Sequence, residues 1–336
     1  MSTTVLKTRV NTIRPSLPPP APSGYLAALL PASLLPYAQV MRLDRPAGLY
    51  AFYAPYLMGL ALSACLTDDL ISPTQLGRDA TTYLVWCVIL RGYTCTWNDN
   101  VDQEFDRKVA RCRNRPIARG AISTSQAHLF TMAQMAVGLV FAAVAFPSPR
   151  TCMIVVACMT GLYALYPFGK RFTNYPQLIL GFPFSGGIIL PCYAHGVDPF
   201  VTRELAIATL ALCLANIFWT MISDTIYAHQ DLKDDLKAGV KSMSVRFRHS
   251  TKPLCALLGV GQVLLLVFVG ILLDLSSVYY TIACFGTALS LFSMVSLVNL
   301  QSPISCAWWF HTDFCLVGGS ISAGILAEYA STRLKW

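Results

Sequence analysis

Residues 80–106 read ATTYLVWCVILRGYTCTWNDNVDQEFD. The first two thirds, 80–97, are apolar enough and long enough to cross a bilayer as a helix. They contain one cation, Arg91, and run directly into Asn98, Asp99, Asp102, Glu104 and Asp106. At 100° per residue, Asp99, Asp102 and Asp106 fall within about 60° of arc, and Asn98 lies one turn from Asp102. A second apolar stretch, 204–223, ends the same way, in DTIYAHQDLKDD at 224–235. There Asp224, Asp231 and Asp235 are spaced by seven and four residues and share a helix face. One such cluster reads equally well as a solvated, salt-bridged loop. Two, each closing an apolar span, read as a site.

Carboxylates stacked this closely repel unless a cation sits among them, and charge at membrane depth costs several kcal/mol without a partner. The ion suited to them is Mg²⁺, a hard cation held by a few carboxylates together with substrate phosphates. Two facing clusters make a two-ion clamp for a diphosphate.

The rest of the chain fits a membrane setting. It has 336 residues, 55% hydrophobic and 12% charged, with mean hydropathy +0.53. A soluble protein carries roughly a quarter charged residues. Intrinsic disorder, collagen and coiled coil are excluded by the same figures. Nine spans are expected, near 47–66, 80–97, 125–146, 151–168, 176–194, 204–223, 253–273, 278–299 and 314–330. The fifth is the weakest, being interrupted by Pro183, Gly186, Gly187 and Pro191. The fold class is therefore all-α and multi-pass, with residues 1–43 a flexible segment and 44–336 the membrane domain. Paired acidic ends suggest an internal repeat, spans 1–4 against 5–8, with span nine appended.

The N-terminus and the even-numbered loops hold nineteen of the 25 Lys and Arg residues. Arg78, Arg150, Arg203, Arg333 and Lys335 lie on the other side, and Arg91 within a span. The positive-inside rule puts the N-terminus and both acidic clusters on the cytosolic face. The net charge of +8 then needs no nucleic acid; a basic rim facing anionic lipid or an anionic substrate accounts for it. No protein partner is implied. The twelve cysteines contain no C-x-x-C pair and lie mostly in apolar runs, where they act as small hydrophobes.

Residues 1–43 are basic and include the proline-rich PSLPPPAPS at 15–23. A cytosolic tail in the endoplasmic reticulum or another internal membrane is one reading. A transit peptide leading to the mitochondrial inner membrane is the other, although prolines oppose the amphipathic helix it needs.

Cations follow the clusters: Arg107 to Arg119 after the first, Arg115 among them, Lys170 and Arg171 in the fourth loop, and Lys233 to Arg248 with the second. Such side chains clamp phosphate oxygens. Arg91 lies seven residues before Asn98, on nearly the same face and about 10 Å deeper. Its expected partner is an anion, either a carboxylate of the motif or an acidic or phenolic substrate beneath the metal site.

The pieces RLDRPAG at 42–48, RGYTCTWNDNVDQEFD at 91–106, VARCRNRPIARG at 109–120, YPFGKRFTNYPQLILG at 166–181 and DTIYAHQDLKDDLKAGVKS at 224–242 together resemble the UbiA-type intramembrane aromatic prenyltransferases. The resemblance implies nine helices around a central cavity open to lipid. It implies Mg²⁺-dependent transfer of a prenyl group from an isoprenoid diphosphate to an aromatic ring. Matched motif by motif, Asn98, Asp99, Asp102, Asp106, Asp231 and Asp235 are the metal-site residues. Lys170, Arg171 and Asp224 are then substrate-binding, and Arg91 and Arg115 are expected to be so from their positions beside the first cluster. The Cys-Arg variant at Cys112-Arg113 looks like fungal members of meroterpenoid pathways, which act on phenolic acids or pyrones, often with a farnesyl chain. Ubiquinone biosynthesis, with 4-hydroxybenzoate as acceptor, is the alternative, and a membrane transporter the alternative of another class. Tyr163, Tyr166 and Phe168 are candidate aromatic walls for an allylic cation.

Overall fold

The computed structural model describes residues 28–45 and 47–334. The proline-rich stretch at 15–23, and with it the choice between tail and transit peptide, lies outside the described residues. Among the described residues all regular structure is helical. A short helix α1 (Leu35–Val40) precedes α2 (Ala47–Leu66) and α3 (Pro73–Val101). There follow α4 (Gln103–Asp106), α5 (Thr124–Ala145), α6 (Pro149–Phe172), α7 (Pro176–Ala194) and α8 (Arg203–Ala228). After a 3₁₀ turn at His229–Asp231 come α9 (Leu232–Ala238), α10 (Met243–Arg246) and α11 (Thr251–Leu272). The chain closes with α12 (Ser277–Leu297) and α13 (Pro303–Arg333).

Among the described residues, eight helices are long and apolar enough to cross a membrane. The second expected span corresponds to α3. It has 29 residues but carries Arg91, Asn98 and Asp99 inside it, so it falls short on apolarity while packing against α2, α5 and α6. The flexible segment expected to reach residue 43 is already helical at Leu35–Val40. Val40 is fully buried there against Ile117, Ile122 and Ala127.

The interrupted fifth span proves central rather than marginal. Helix α7 packs against α2, α6 and α8, and its small residues are the contact points. Gly181 lies on Ile217, Gly186 on Met159 and Gly187 on Pro55 and Tyr56. Gly59 of α2 returns the contact: a Cβ there would stand 2.4 Å from the carbonyl oxygen of Ile188. Lipid offers apolar side chains no reason to leave it, so membrane helices associate through close backbone approach at such residues. Outward faces show the converse pattern. Leu129, Met132, Val137, Val140 and Val144 on α5, and Leu257, Val260, Leu264, Phe268 and Ile271 on α11, are exposed at helical spacing, a surface suited to acyl chains.

Two helices contain π segments, Tyr280–Phe285 in α12 and Phe314–Gly318 in α13. The first packs on Gly324, whose Cβ would meet Ala283 at 2.5 Å; the second brings Gly318 against Trp219 of α8. At the end of the bundle holding both acidic clusters, segment 103–120 and α9 form a cap. Ala110 N–H donates to Asp234 Oδ2 at 2.9 Å, and Lys241 N–H to the Lys170 carbonyl at 3.1 Å.

Gly59→Ala is expected to abolish folded yield or lower the melting temperature sharply, because a backbone oxygen must move to admit the methyl. Gly77→Ala, where a Cβ meets nothing within 4 Å, should leave it unchanged or raise stability by about 0.4–1 kcal/mol. Thermal melts of both proteins in detergent check this; equal behaviour would contradict the packing described.

Candidate active site

Helix α3 ends at Val101, with Asp102 as its C-cap. The chain then turns into α4, which carries Asp106 back toward the same space. The second cluster is also not one continuous helix: the 3₁₀ turn at His229–Asp231 separates Asp224 on α8 from Asp235 on α9. Both arrangements converge nonetheless. A polar chamber of about 280 Å³ beneath the cap is lined by Asn98, Asp102, Asp106, Asp224, Asp231 and Asp235, together with Arg42, Arg111, Arg115 and Lys170. Below it lies an apolar chamber of about 170 Å³. Cys95, Asn98, Tyr166, Asp224 and Phe310 line both, so the chambers meet at these residues.

Four cations hold four of the six aspartates. Arg42 Nη2 reaches Asp99 Oδ1 at 2.6 Å. Arg115 Nη1 bridges Asp99 at 3.1 Å and Asp106 at 2.9 Å. Lys170 Nζ meets Asp102 Oδ2 at 2.5 Å. Arg111 grips Asp231 through Nε at 2.9 Å and Nη2 at 2.5 Å, and donates from Nη1 to the Tyr227 hydroxyl at 2.9 Å. Burial lifts the Asp106 carboxyl to about 6, with Arg115 opposing the shift and Asp99 adding to it. Burial disfavours the Arg115 charge, yet Asp99 and Asp106 outweigh it and raise that pKa.

Three expected site residues stand elsewhere. Asp99 does not line the chamber; it anchors Arg42 and Arg115 from behind. Arg171 lies over Phe105 and Phe168, donates to the Val101 carbonyl at 2.8 Å, and is 3.6 Å from Asp102. Arg91 pairs with no carboxylate and lines neither chamber. Its Nη1 donates to the Arg42 carbonyl at 3.0 Å and its Nη2 to the Arg45 carbonyl at 2.7 Å. Its partners come from a segment 46 to 49 residues earlier. Arg42 has a φ of 60°, a left-handed conformation that costs a non-glycine residue of order 1–3 kcal/mol. Arg91 thus holds a strained turn whose side chain feeds the first acidic cluster.

Of the three aromatic candidates, Tyr166 lines both chambers. Tyr163 lies one layer back, stacked on Phe52, and Phe168 is exposed beside Trp97. The apolar walls are instead Phe52 and Phe184 on one side and Trp219, Phe310 and Phe314 on the other. Nothing local in the sequence marks this second group, because aromatic residues at helical spacing read as ordinary core. The same holds for Arg42, Asn216, Thr220, Ser223 and Tyr227.

Among the described residues no three acidic, His or Cys side chains converge closely enough to cage an ion alone. However, Asn98 Oδ1 and Asp102 Oδ1, of residues that line the chamber, are buried without a hydrogen-bond partner. Orphaned oxygens beside a cation-lined chamber fit Mg²⁺, which takes one or two carboxylates and completes its shell with phosphate and water.

The sequence pattern of the UbiA prenyltransferase family matches residues 52–317. The prenyltransferase ascA of Acremonium egyptiacum is 40% identical over 278 residues, 83% of this chain and 81% of its own. The DMOA farnesyltransferase nvfB of Aspergillus novofumigatus is 37% identical over 229 residues, 68% of this chain and 70% of its own. A solved UbiA homologue from Archaeoglobus fulgidus, bound to DMAPP and Mg²⁺, superposes with a TM-score of 0.65 at 18% identity, covering 88% of this chain and 99% of its own.

Arg91→Leu removes two buried hydrogen bonds to carbonyls and should destabilise the protein by about 1–3 kcal/mol. Arg91→Lys should recover only part of this, since one ammonium cannot fork across both oxygens. Melting curves of the three proteins in detergent decide it; a wild-type melt for Arg91→Leu would contradict the assignment.

Proposed function

The chain belongs to the UbiA prenyltransferase family, and on that premise we propose that it transfers a farnesyl group from an isoprenoid diphosphate to a phenolic or pyrone polyketide acceptor in fungal meroterpenoid biosynthesis. The observation that carries this reading is the junction of the chambers. A diphosphate-sized polar space, ringed by carboxylates and cations, opens onto an apolar one lined by aromatic rings. The protein is an integral membrane enzyme, and we place it in the endoplasmic reticulum or another internal membrane.

Asn98, Asp102, Asp106, Asp231 and Asp235 would hold Mg²⁺ ions together with the donor's diphosphate. Bound there, Mg²⁺ supplies charge neutralisation for the departing diphosphate. As donor enters, Lys170, Arg111 and Arg115 exchange carboxylate oxygens for phosphate oxygens. That exchange is inexpensive because one charge-assisted bond replaces another.

The C1–O bond of the donor then breaks, and the diphosphate leaves with the electron pair. Tyr166, Phe310 and Phe314 flank the allylic carbon as it becomes cation-like. The apolar chamber keeps out the water that would capture it. A ring carbon of the acceptor forms the new bond to C1, and the proton leaving that carbon passes to a base. Asp224 is, among the described residues, the one carboxylate lining both chambers, and we assign it that role.

The test is a microsomal assay crossing C10, C15 and C20 diphosphates with phenolic acids, pyrones and 4-hydroxybenzoate, products being identified by mass. The C15 donor with a polyketide phenol should be turned over best. Preferred use of 4-hydroxybenzoate would shift the assignment to quinone biosynthesis, and absence of diphosphate release would point to a transporter. Asp102→Ala and Asp231→Ala should each lower turnover by at least about two orders of magnitude while the protein still inserts. Near-normal turnover in either would refute a shared site.

A further inference from the structure

The apolar chamber is not wholly apolar. Below its junction with the polar chamber it includes Thr94, Asn216, Thr220, Ser223 and the Trp219 indole. Each hydroxyl or ring N–H hydrogen of this set is already committed to the protein. Thr94 donates to the Leu90 carbonyl at 2.6 Å and Thr220 to the Asn216 carbonyl at 2.9 Å. Trp219 Nε1 donates to Asp313 Oδ2 at 2.5 Å, and Ser223 donates to the same oxygen. Asp313, buried on α13, thereby turns both hydrogens away from the chamber. What these hydroxyls retain is lone pairs.

Asn216 completes the pattern. It is 1% exposed. Its Nδ2 lies 3.2 Å from Ser185 Oγ. Ser185 has a single hydroxyl hydrogen, engaged with the carbonyls of Gly181 and Cys213, each at 2.9 Å. Ser185 can therefore only accept from Asn216, which fixes which end of the amide is nitrogen. Asn216 Oδ1 is left buried with no partner. An unpaired buried carbonyl is costly, and the group able to satisfy it must bring a hydrogen.

We propose that the apolar chamber seats a hydroxyl-bearing arene, with Asn216 Oδ1 accepting a phenolic O–H. This rests on the prenyl-transfer reading and narrows its acceptor to arenes with a free hydroxyl directed away from the polar chamber. The hydrogen bond also serves the reaction. Donation from the phenol to a carbonyl oxygen moves electron density into the ring, chiefly to the ortho and para carbons, which are the carbons that attack C1. The hydrogen stays on its oxygen. Asp313 is a positioning residue that takes up the Trp219 and Ser223 hydrogens.

The experiment compares a resorcinol-type arene with its O-methyl ethers, using the C15 diphosphate and Mg²⁺, in wild type, Asn216→Leu and Asn216→Ala. Wild type should prefer the free hydroxyl by roughly a hundredfold in kcat/KM. Asn216→Leu, close in shape, should lose roughly tenfold to a hundredfold on the phenol, with the phenol-to-ether ratio collapsing toward one and the donor's KM unchanged. If Asn216→Leu is not recovered folded, Asn216→Ala is read by the same ratio. Preserved discrimination in a folded variant would overturn the inference alone, since size would then be excluding the ether. A wild type that prenylates no arene would overturn the prenyl-transfer reading, and the inference with it.

Discussion

Six aspartates of the two clusters are gathered at one end of a membrane bundle, and four of them are held there by cations. The pairing of Asp99 with Arg42 and Arg115, Asp102 with Lys170, Asp106 with Arg115, and Asp231 with Arg111 is the constraint from which the rest follows. It draws together segments that are far apart in the chain: the turn before α2, the end of α3, the segment after α4, the end of α6 and the turn after α8. The desolvation cost of such pairs is large, and their value as net stabilisation is small. Their better-founded role is to keep carboxylates and cations poised around one space, ready to re-pair with a metal and a diphosphate.

Support for that arrangement comes from contacts with no chemistry of their own. Arg91 pins the carbonyls of Arg42 and Arg45 and so keeps Arg42 in a backbone conformation it would otherwise leave. The glycines of α7 let α2, α6 and α8 approach closely enough to enclose the lower chamber. Gly318, in the π segment of α13, admits the Trp219 ring. Asp313 at the start of that segment then fixes the indole and Ser223.

Much of this was legible in the sequence, because periodicity and charge are local signals. The spans and the cation-rich loops follow from composition and spacing, and most of the expected site residues line one chamber although neither acidic cluster sits on one continuous helix. What the sequence could not carry was direction. Asp99 sits on the same arc of helix as Asp102 but turns toward Arg42, because the helix ends at Val101 and the chain bends there. Arg91 found carbonyls instead of an anion, since a guanidinium is satisfied by either and the carbonyls come from a distant turn. Asn216, Trp219 and Ser223 looked like ordinary contents of an apolar span. Only the α8–α13 packing and the bond to Ser185 show which of their hydrogens are taken up and which oxygen is left without a partner.

The central claim is that both acidic clusters act on one diphosphate. A binding double-mutant cycle tests it most directly. A non-cleavable isoprenoid thiodiphosphate would be titrated with Mg²⁺ into wild type, Asp102→Ala, Asp231→Ala and the double variant. A shared site predicts that either single change removes most of the Mg²⁺-dependent affinity and that the double change costs little more. Independent losses that simply add, or a single variant binding as tightly as wild type, would contradict it.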